Sequence, residues 1–475
     1  MSATFPPNRS SLAQAIRSGA AQRLGDLAAL GASFLGLGPD QTNRPIRMSI
    51  GPKGSATEQA LAVKRMHMTE QLCADTCLHM KLLCVTTRTE WPASAFVGQP
   101  ISVSLVTDRG LLSARNAIVT SATPGPSDGS YQVWLIEARD GLGVLNVGCD
   151  ERIFTGGSVL DLAQAVFNEA IERCPELAPC FDLDLGDLRA SDYPVREFTM
   201  QTGESDCAFL LRHLRKSGIG WLIRPGRAQA AQPSTGSDPE DDSNGLADRL
   251  KQVGADAQES QCHTLQLFAD SHALPRNPAG TVRYHLDAAT QQRDAITDWS
   301  EGHHLVPGTV QRQAWDYQIY GVHSVQMETQ IGPKMGNRLG NRSGDPAEGE
   351  GPTGLRGGLL DHQIDPPHWG DSLSDYQRMG GLRAQYHEMS ACVISGASGV
   401  RDAAVGTWLE VTGRPGDHRL LGHQREFVLT RVEHFGDNNY GKDINERIDS
   451  LFASKGWTLT DAARPVIGVQ AQDRS

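Results

Sequence analysis

The sequence predicts a mixed, mainly β chain: two β-rich bodies with a smaller α/β unit inserted between them. Three observations carry this. Apolar residues alternate with period two at several points, as in Ile101-Val103-Leu105 and along 427–432. Fifty glycines and 25 prolines among 475 residues supply many turns and suit strands better than helices. Between residues 151 and 224 the apolar spacing switches to three and four residues, the helical period.

Residues 1–45 read as a helical extension, on SSLAQAIRSGAAQRLGDLAAL with Ser10 or Ser11 as its cap. Residues 46–150 form the first β-rich body, which 262–300 are expected to complete. In it, Ile101, Val103 and Leu105 lead into the turn Thr107-Asp108-Arg109-Gly110. Tyr131, Val133 and Leu135 alternate with Trp134 and Ile136, which predicts a strand buried on both faces. In the insert, 151–226, Ser158 and Asp161 resemble a capping box, and Leu160, Ala163, Phe167, Ala170 and Ile171 mark a helix ending near Arg173. Residues 193–221 read as strand, helix, strand. Val195, Phe198 and Met200 lie on the first strand, and Ser205 caps the helix. Cys207, Phe209, Leu210 and Leu214 form its apolar stripe, Gly218 its C-cap, and Ile219, Trp221 and Ile223 alternate beyond it.

Residues 227–261 contain RAQAAQPSTGSDPEDDSNG and read as an acidic, disordered linker, because they hold too few large apolar side chains to offset ordering entropy. The second β-rich body spans 301–460. Its Gly-, Pro- and Asp-rich stretch 333–375 reads as a long mobile loop. A helix is expected over 371–388 with Tyr376, Met379, Leu382 and Tyr386 on its apolar side. Strands are expected at 408–411 and 427–432.

A net charge of −12 argues against a nucleic-acid or anionic-membrane surface. No apolar run reaches the roughly 18 residues of a transmembrane helix, so no stable membrane insertion is expected. LAALGASFLGLG at 27–38 has the composition of a signal peptide core, but it lies deep and follows Asp26, so no signal peptide is expected. Nine cysteines without a framework spacing suit a reducing compartment.

The chemical candidates are few. Cys73, Cys77, His79 and Cys84 lack a second ligand pair, and Leu78, Leu82, Leu83 and Val85 place the segment in a core. Cys174 and Cys180 flank a Pro-containing turn, where a disulfide is geometrically possible. His303 and His304 are adjacent, so on a strand they face opposite ways. ISGASG at 394–399 lacks the Lys-Ser/Thr of a phosphate loop and reads as a turn. Cys207 and His213 are six apart on a helix and cannot form a dyad by themselves; a buried thiol and a solvated imidazole are expected. No catalytic, cofactor-binding or metal-ligating residue is therefore expected, and a hydrolase using the 73–84 cluster is the competing class.

Five stretches, in order, resemble the VgrG family of type VI secretion spike proteins. They are FVGQPISVSLVTDRG at 96–110, ERIFTGGSVLDLAQAVF at 151–167, YPVREFTMQTGESDCAFLLRHLRKSGIGW at 193–221, DAITDWSEGHHLVPGTVQRQAWDY at 294–317 and REFVLTRVEHFGDNN at 425–439. Gly203, where the family usually has Arg, and Lys216-Ser217, where it has acidic residues, depart from the pattern. The resemblance implies a fold like the hub of contractile-phage baseplates, with two β-barrels and smaller inserted domains, in a homotrimer docked on the hexameric Hcp tube. It further implies baseplate components and effectors or adaptors as partners. It implies a protein that is cytoplasmic before firing and leaves through the apparatus without a signal peptide. An OB-fold and needle would begin at about 461–475, so the resemblance also implies a spike, stand-alone hub or split-gene fragment without them.

Overall fold

The computed structural model describes residues 41, 43–88, 91–227, 261–285, 293–316, 320–329, 358–365, 372–414, 425–459 and 467–469. The expected N-terminal helix, the 27–38 stretch, nearly all of the acidic linker and most of the 461–475 tail lie outside these residues.

The first body is built from β1 (Ile46–Ile50), β2 (Ala62–Gln71), β3 (Leu78–Thr86), β4 (Pro100–Val106), β5 (Leu112–Ser127) and β6 (Gln132–Arg139). They pair antiparallel in the order β1-β4-β5-β6-β3-β2. Alternation sends one set of side chains inward. Met68, Met80, Leu82, Ile101, Val103, Trp134 and Ile136 share one core, and the Phe96 ring meets Trp134 edge-on at 5.2 Å. β6 packs on both faces: buried Val133 and half-buried Leu135 belong to a second cluster on its other side.

The insert follows as α1 (Gly141–Leu145), β7 (Asp150–Gly157), α2 (Val159–Arg173), β8 (Phe181–Asp184), β9 (Arg196–Glu204), α3 (Asp206–Ser217) and β10 (Gly220–Pro225). Beyond residue 260 comes β11 (His263–Phe268), which pairs with β10 antiparallel and with β8 parallel. The stretch expected to complete the first body thus begins by completing the insert. Its Leu265 and Leu267 join Trp221, Phe181, Leu210 and Leu214 in one core. The capping box forms as predicted: Asp161 N–H donates to Ser158 Oγ, and Ser158 N–H to Asp161 Oδ2. Ala208 N–H donates to Ser205 Oγ at 3.1 Å. Gly218 ends α3 at φ +71°, where a Cβ would also come within 2.9 Å of Leu382.

The remainder comprises β12 (Arg276–Arg283), β13 (Ile296–His303), β14 (Thr309–Asp316), β15 (Gly321–Glu328), β16 (Leu360–Asp365), α4 (Leu373–Ala391), β17 (Cys392–Ser398), β18 (Trp408–Thr412), β19 (Glu426–Val428), β20 (Arg431–Asp437), α5 (Lys442–Ser454) and β21 (Ile467–Val469). Three small sheets run β12-β18-β19, β13-β17-β21 and β15-β14-β16. Four expectations are corrected here. The stretch 333–375 contains β16, paired parallel with β14. The strand was hidden because Asp361 points not at an apolar core but at Arg383 and His387, which donate to it at 2.8 and 2.7 Å. ISGASG is strand as far as Ser398, in β17, and not a turn. Its Gly396 lies where β13 bulges, and a Cβ there would meet the Asp298 carbonyl at 2.4 Å. Tyr386 is exposed at 51%, and Ala384 and His387 take the buried side of α4 with Tyr376. The single strand expected over 427–432 is two, and they enter different sheets.

That split closes the fold. β19 stays with β18, whereas β20 crosses to pair antiparallel with β2 and becomes the seventh strand of the first sheet. The assignment of 301–460 to one body therefore fails at β20. The sheet curls until β20 and β1 approach, and Gly436 makes room: a Cβ there would lie 2.5 Å from Ile46 Cδ1. Asn438, fully buried, bridges the gap. Its Nδ2 donates to the Ile46 and Val63 carbonyls at 2.8 and 2.9 Å, and its Oδ1 accepts from Ile46 N–H at 3.2 Å. Buried Glu70 on β2 accepts from Arg115 of β5 at 2.7 Å and lies 3.0 Å from His434 of β20. Arg115 also donates to the Ala403 carbonyl at 2.7 Å, tying the loop after β17 to the first sheet.

Asn438→Ala leaves buried backbone groups without their partners. It is expected to cost about 3 kcal/mol in urea unfolding followed by circular dichroism. A cost below about 1 kcal/mol would show that the two edges hold together without it.

Candidate interaction surfaces

The cysteine and histidine candidates do not assemble into a reactive centre. Cys84 is fully buried in the first core, whereas His79, five residues earlier on the same strand, faces Glu137 on the other side. Cys73 accepts from Trp221 N–H at 3.4 Å, and Cys77 donates to the Ala74 carbonyl at 3.5 Å. Burial raises the pKa of all three thiols, so the nucleophilic thiolate is suppressed. Cys174 and Cys180 are thiols, hydrogen-bonded to Glu176 and to the Leu177 carbonyl at 3.5 and 3.4 Å. Burial pushes Cys180 up to about 11 and Cys207 up to about 12.

His213 corrects its expectation, since it is 8% exposed and not solvated. The ribbon of β7 and β9 lies near α3, and the imidazole packs edge-on to Phe209 at 4.9 Å. Burial, with Arg212 and Lys216 nearby, lowers its pKa to about 3, so it is neutral. His263 was not singled out by sequence reasoning. It is fully buried, and its Nε2 accepts from Gly141 N–H at 2.8 Å. Burial lowers its pKa to about 3, which keeps that acceptor available. Asp140, on the same α1 turn, accepts from Leu78 and Gly143 N–H at 2.7 and 3.0 Å while burial raises its pKa to about 6. Both groups hold the joint between first sheet and insert.

His303 is the last residue of β13, and His304 lies just beyond the strand. His303 Nε2 lies 3.1 Å from Glu301 Oε1, and Cys392 Sγ lies 3.7 Å from the same oxygen. A cleft of about 330 Å³ between the first and second bodies is lined by Asp108, Arg109, Arg283, Arg293, Asp294 and Asp402. Its charges are largely committed: Arg401 clamps Asp294, and Arg109 donates to the Pro278 and Ala279 carbonyls.

What the surface does present is unpartnered apolar sheet. On the β7–β9 ribbon, Ile153 faces Met200, and Phe198 stands beside them at 65% exposure. On the β15-β14-β16 sheet, α4 covers one face through Tyr376 against Ala314 and Val325. The other face exposes Trp315, paired with Val322, and Ile364, at 70%. Exposed apolar patches on sheets are the usual mark of protein–protein contact. None of the described helices is long and apolar enough to cross a membrane.

The chain is mainly β, burial raises the pKa of the Cys73, Cys77 and Cys84 thiols, and apolar sheet faces are exposed. The chain belongs to the phage tail baseplate hub (GPD) family, which it matches over residues 69–440. It is similar to the type VI secretion system spike protein VgrG1c of Pseudomonas aeruginosa, at 21% identity over 277 residues; these are 58% of this chain but only 32% of that protein. Among solved structures it resembles the E. coli c3393 protein, a type VI secretion component (14% identity, 83% of this chain and 74% of that one, TM-score 0.48). It also resembles a Neisseria meningitidis tail protein (12% identity, 82% and 92%, TM-score 0.48). The family match thus makes the chain a protein of the baseplate-hub kind.

With Ellman's reagent, native protein is expected to expose Cys149 first, and Cys77, Cys84, Cys207 and Cys262 only on unfolding. Fast modification of Cys77 or Cys84 in folded protein would reopen the cysteine-chemistry reading.

Proposed function

We propose that this chain is the hub of a type VI secretion spike. Three copies associate around a threefold axis, the ring docks on the hexameric Hcp tube, and the assembly carries a spike, effector or adaptor while contacting baseplate components. The observation that carries this reading is the family match across 69–440, which includes the first sheet, the insert and the returning strand β20. The exposed faces of β7–β9 and β15-β14-β16 support it physically. Closed symmetry hides such faces without leaving sticky ends, and obligate interfaces bury on the order of 2,000 Å² or more. In this reading each chain contributes two β-barrel bodies, so three chains present a pseudo-sixfold ring to a sixfold tube. The protein acts by binding and not by catalysis, and it leaves the cytoplasm through the apparatus.

The hub of a phage-like contractile particle is the second reading, favoured by the family's own description. It keeps the same geometry and changes the tube protein.

Mixing the purified chain with Hcp hexamers and separating by size exclusion is expected to give a co-eluting complex. Co-elution with a phage tail-tube protein and not with Hcp would select the second reading. Binding to neither would contradict tube docking altogether.

A further inference from the structure

We propose that Glu301, His303 and Cys392 bind a divalent transition metal of the zinc class and staple the base of the excursion that separates them. Glu301 and His303 are two residues apart on β13, so their side chains leave the same face. His303 is the direct cross-strand partner of Cys392 on β17. The three donor atoms all lie within 4.8 Å of one another. The Glu301 oxygen is 3.1 Å from the His303 Nε2 and 3.7 Å from the Cys392 sulfur. Tetrahedral zinc, with bonds of about 2.0 Å to N and O and about 2.3 Å to S, sets its ligands roughly 3.3–3.7 Å apart. Ligation therefore asks for small side-chain adjustments only.

The chemistry of the set is selective. Thiolate with imidazole favours zinc, cobalt or nickel over magnesium and calcium, which want oxygen alone. Three protein ligands leave a fourth position. Glu301 and His303 stand at the surface, so water reaches the ion from that side while the buried sulfur closes the other. Binding would displace the thiol proton now shared with Glu301, and so release it to solvent.

The position gives the site its meaning. β13 ends at His303, and β17 begins at Cys392. The described residues between them, including the β15-β14-β16 sheet and α4, form an excursion from that sheet. A metal here would hold its two ends together across a sequence separation of 91 residues from Glu301 to Cys392, where a cross-link constrains most chain. Just beyond, His304 N–H donates to the Ala391 carbonyl at 2.8 Å, so the backbone is already drawn closed at this neck.

The test uses the full chain, stripped with chelator and titrated with Co²⁺. The expected result is one equivalent bound with a sulfur-to-cobalt charge-transfer band in the near ultraviolet. Cys392→Ser should abolish the band, and His303→Ala should weaken binding about tenfold or more. Cys77→Ser and Cys207→Ser should leave both unchanged. Circular dichroism of Cys392→Ser and His303→Ala confirms folding, which the exposed position of His303 favours. The proposal is overturned if no stoichiometric cobalt binds, or if the band persists in folded Cys392→Ser.

Discussion

Everything in this fold hangs on how a late segment is held beside an early one. The hydrogen bonds of Asn438 to Ile46 span 392 residues, and those of Glu70 to His434 span 364. Between the two ends the chain builds the insert and three further sheets, then returns to lay β20 along β2. Such pairing is expensive in loop entropy, so it must be secured by groups that lose heavily when separated. The Glu70 carboxylate is one. Burial acts to raise its pKa, but Arg115 and His434 outweigh that and hold it at about 2. Because the folded value is depressed, its contribution is complete above pH about 4.5 and is lost as pH falls through about 2. Removing one member would leave the others buried and uncompensated.

Further side-chain hydrogen bonds tie the parts of the fold together. Arg115 reaches the loop at Ala403, Arg401 donates to the Val106 carbonyl at 2.8 Å, and Arg378 of α4 donates to the Ser217 carbonyl at the end of α3 at 3.1 Å. First sheet, insert and excursion are thereby cross-braced by charged side chains on backbone carbonyls. Cys84 fills a sheet core, and His263 accepts the backbone N–H of Gly141, a position where a Cβ would lie 2.5 Å from the Phe181 ring.

Local devices were legible in the sequence, and distant ones were not. The Ser158–Asp161 box, the Ser205 cap, the Gly218 stop and the two-faced β6 all follow from spacing over a few residues. β16 escaped because its inward Asp361 is matched to charges on α4 rather than to an apolar core. β17 escaped because Gly396 is demanded by the backbone of β13. The buried face of His213 depends on a ribbon whose own apolar residues, Ile153 and Phe198, point outward. The Glu301, His303 and Cys392 group could not be read, because register across β13 and β17 is what brings the sulfur to the imidazole. Mainly β architecture and hub family were within reach of the sequence. The partition of strands among sheets was set by long-range pairing that leaves no local trace.

The most direct test of the hub account is the mass of the full chain in solution by light scattering. At 51.4 kDa per chain, a threefold assembly has a mass of 3 × 51.4 = 154.2 kDa. The account predicts that value, and a fall toward the monomer mass in a folded Phe198→Asp or Ile364→Asp variant, whose side chains lie on the exposed sheet faces. A wild-type chain that stays at 51.4 kDa at every concentration measured would contradict self-assembly through those faces.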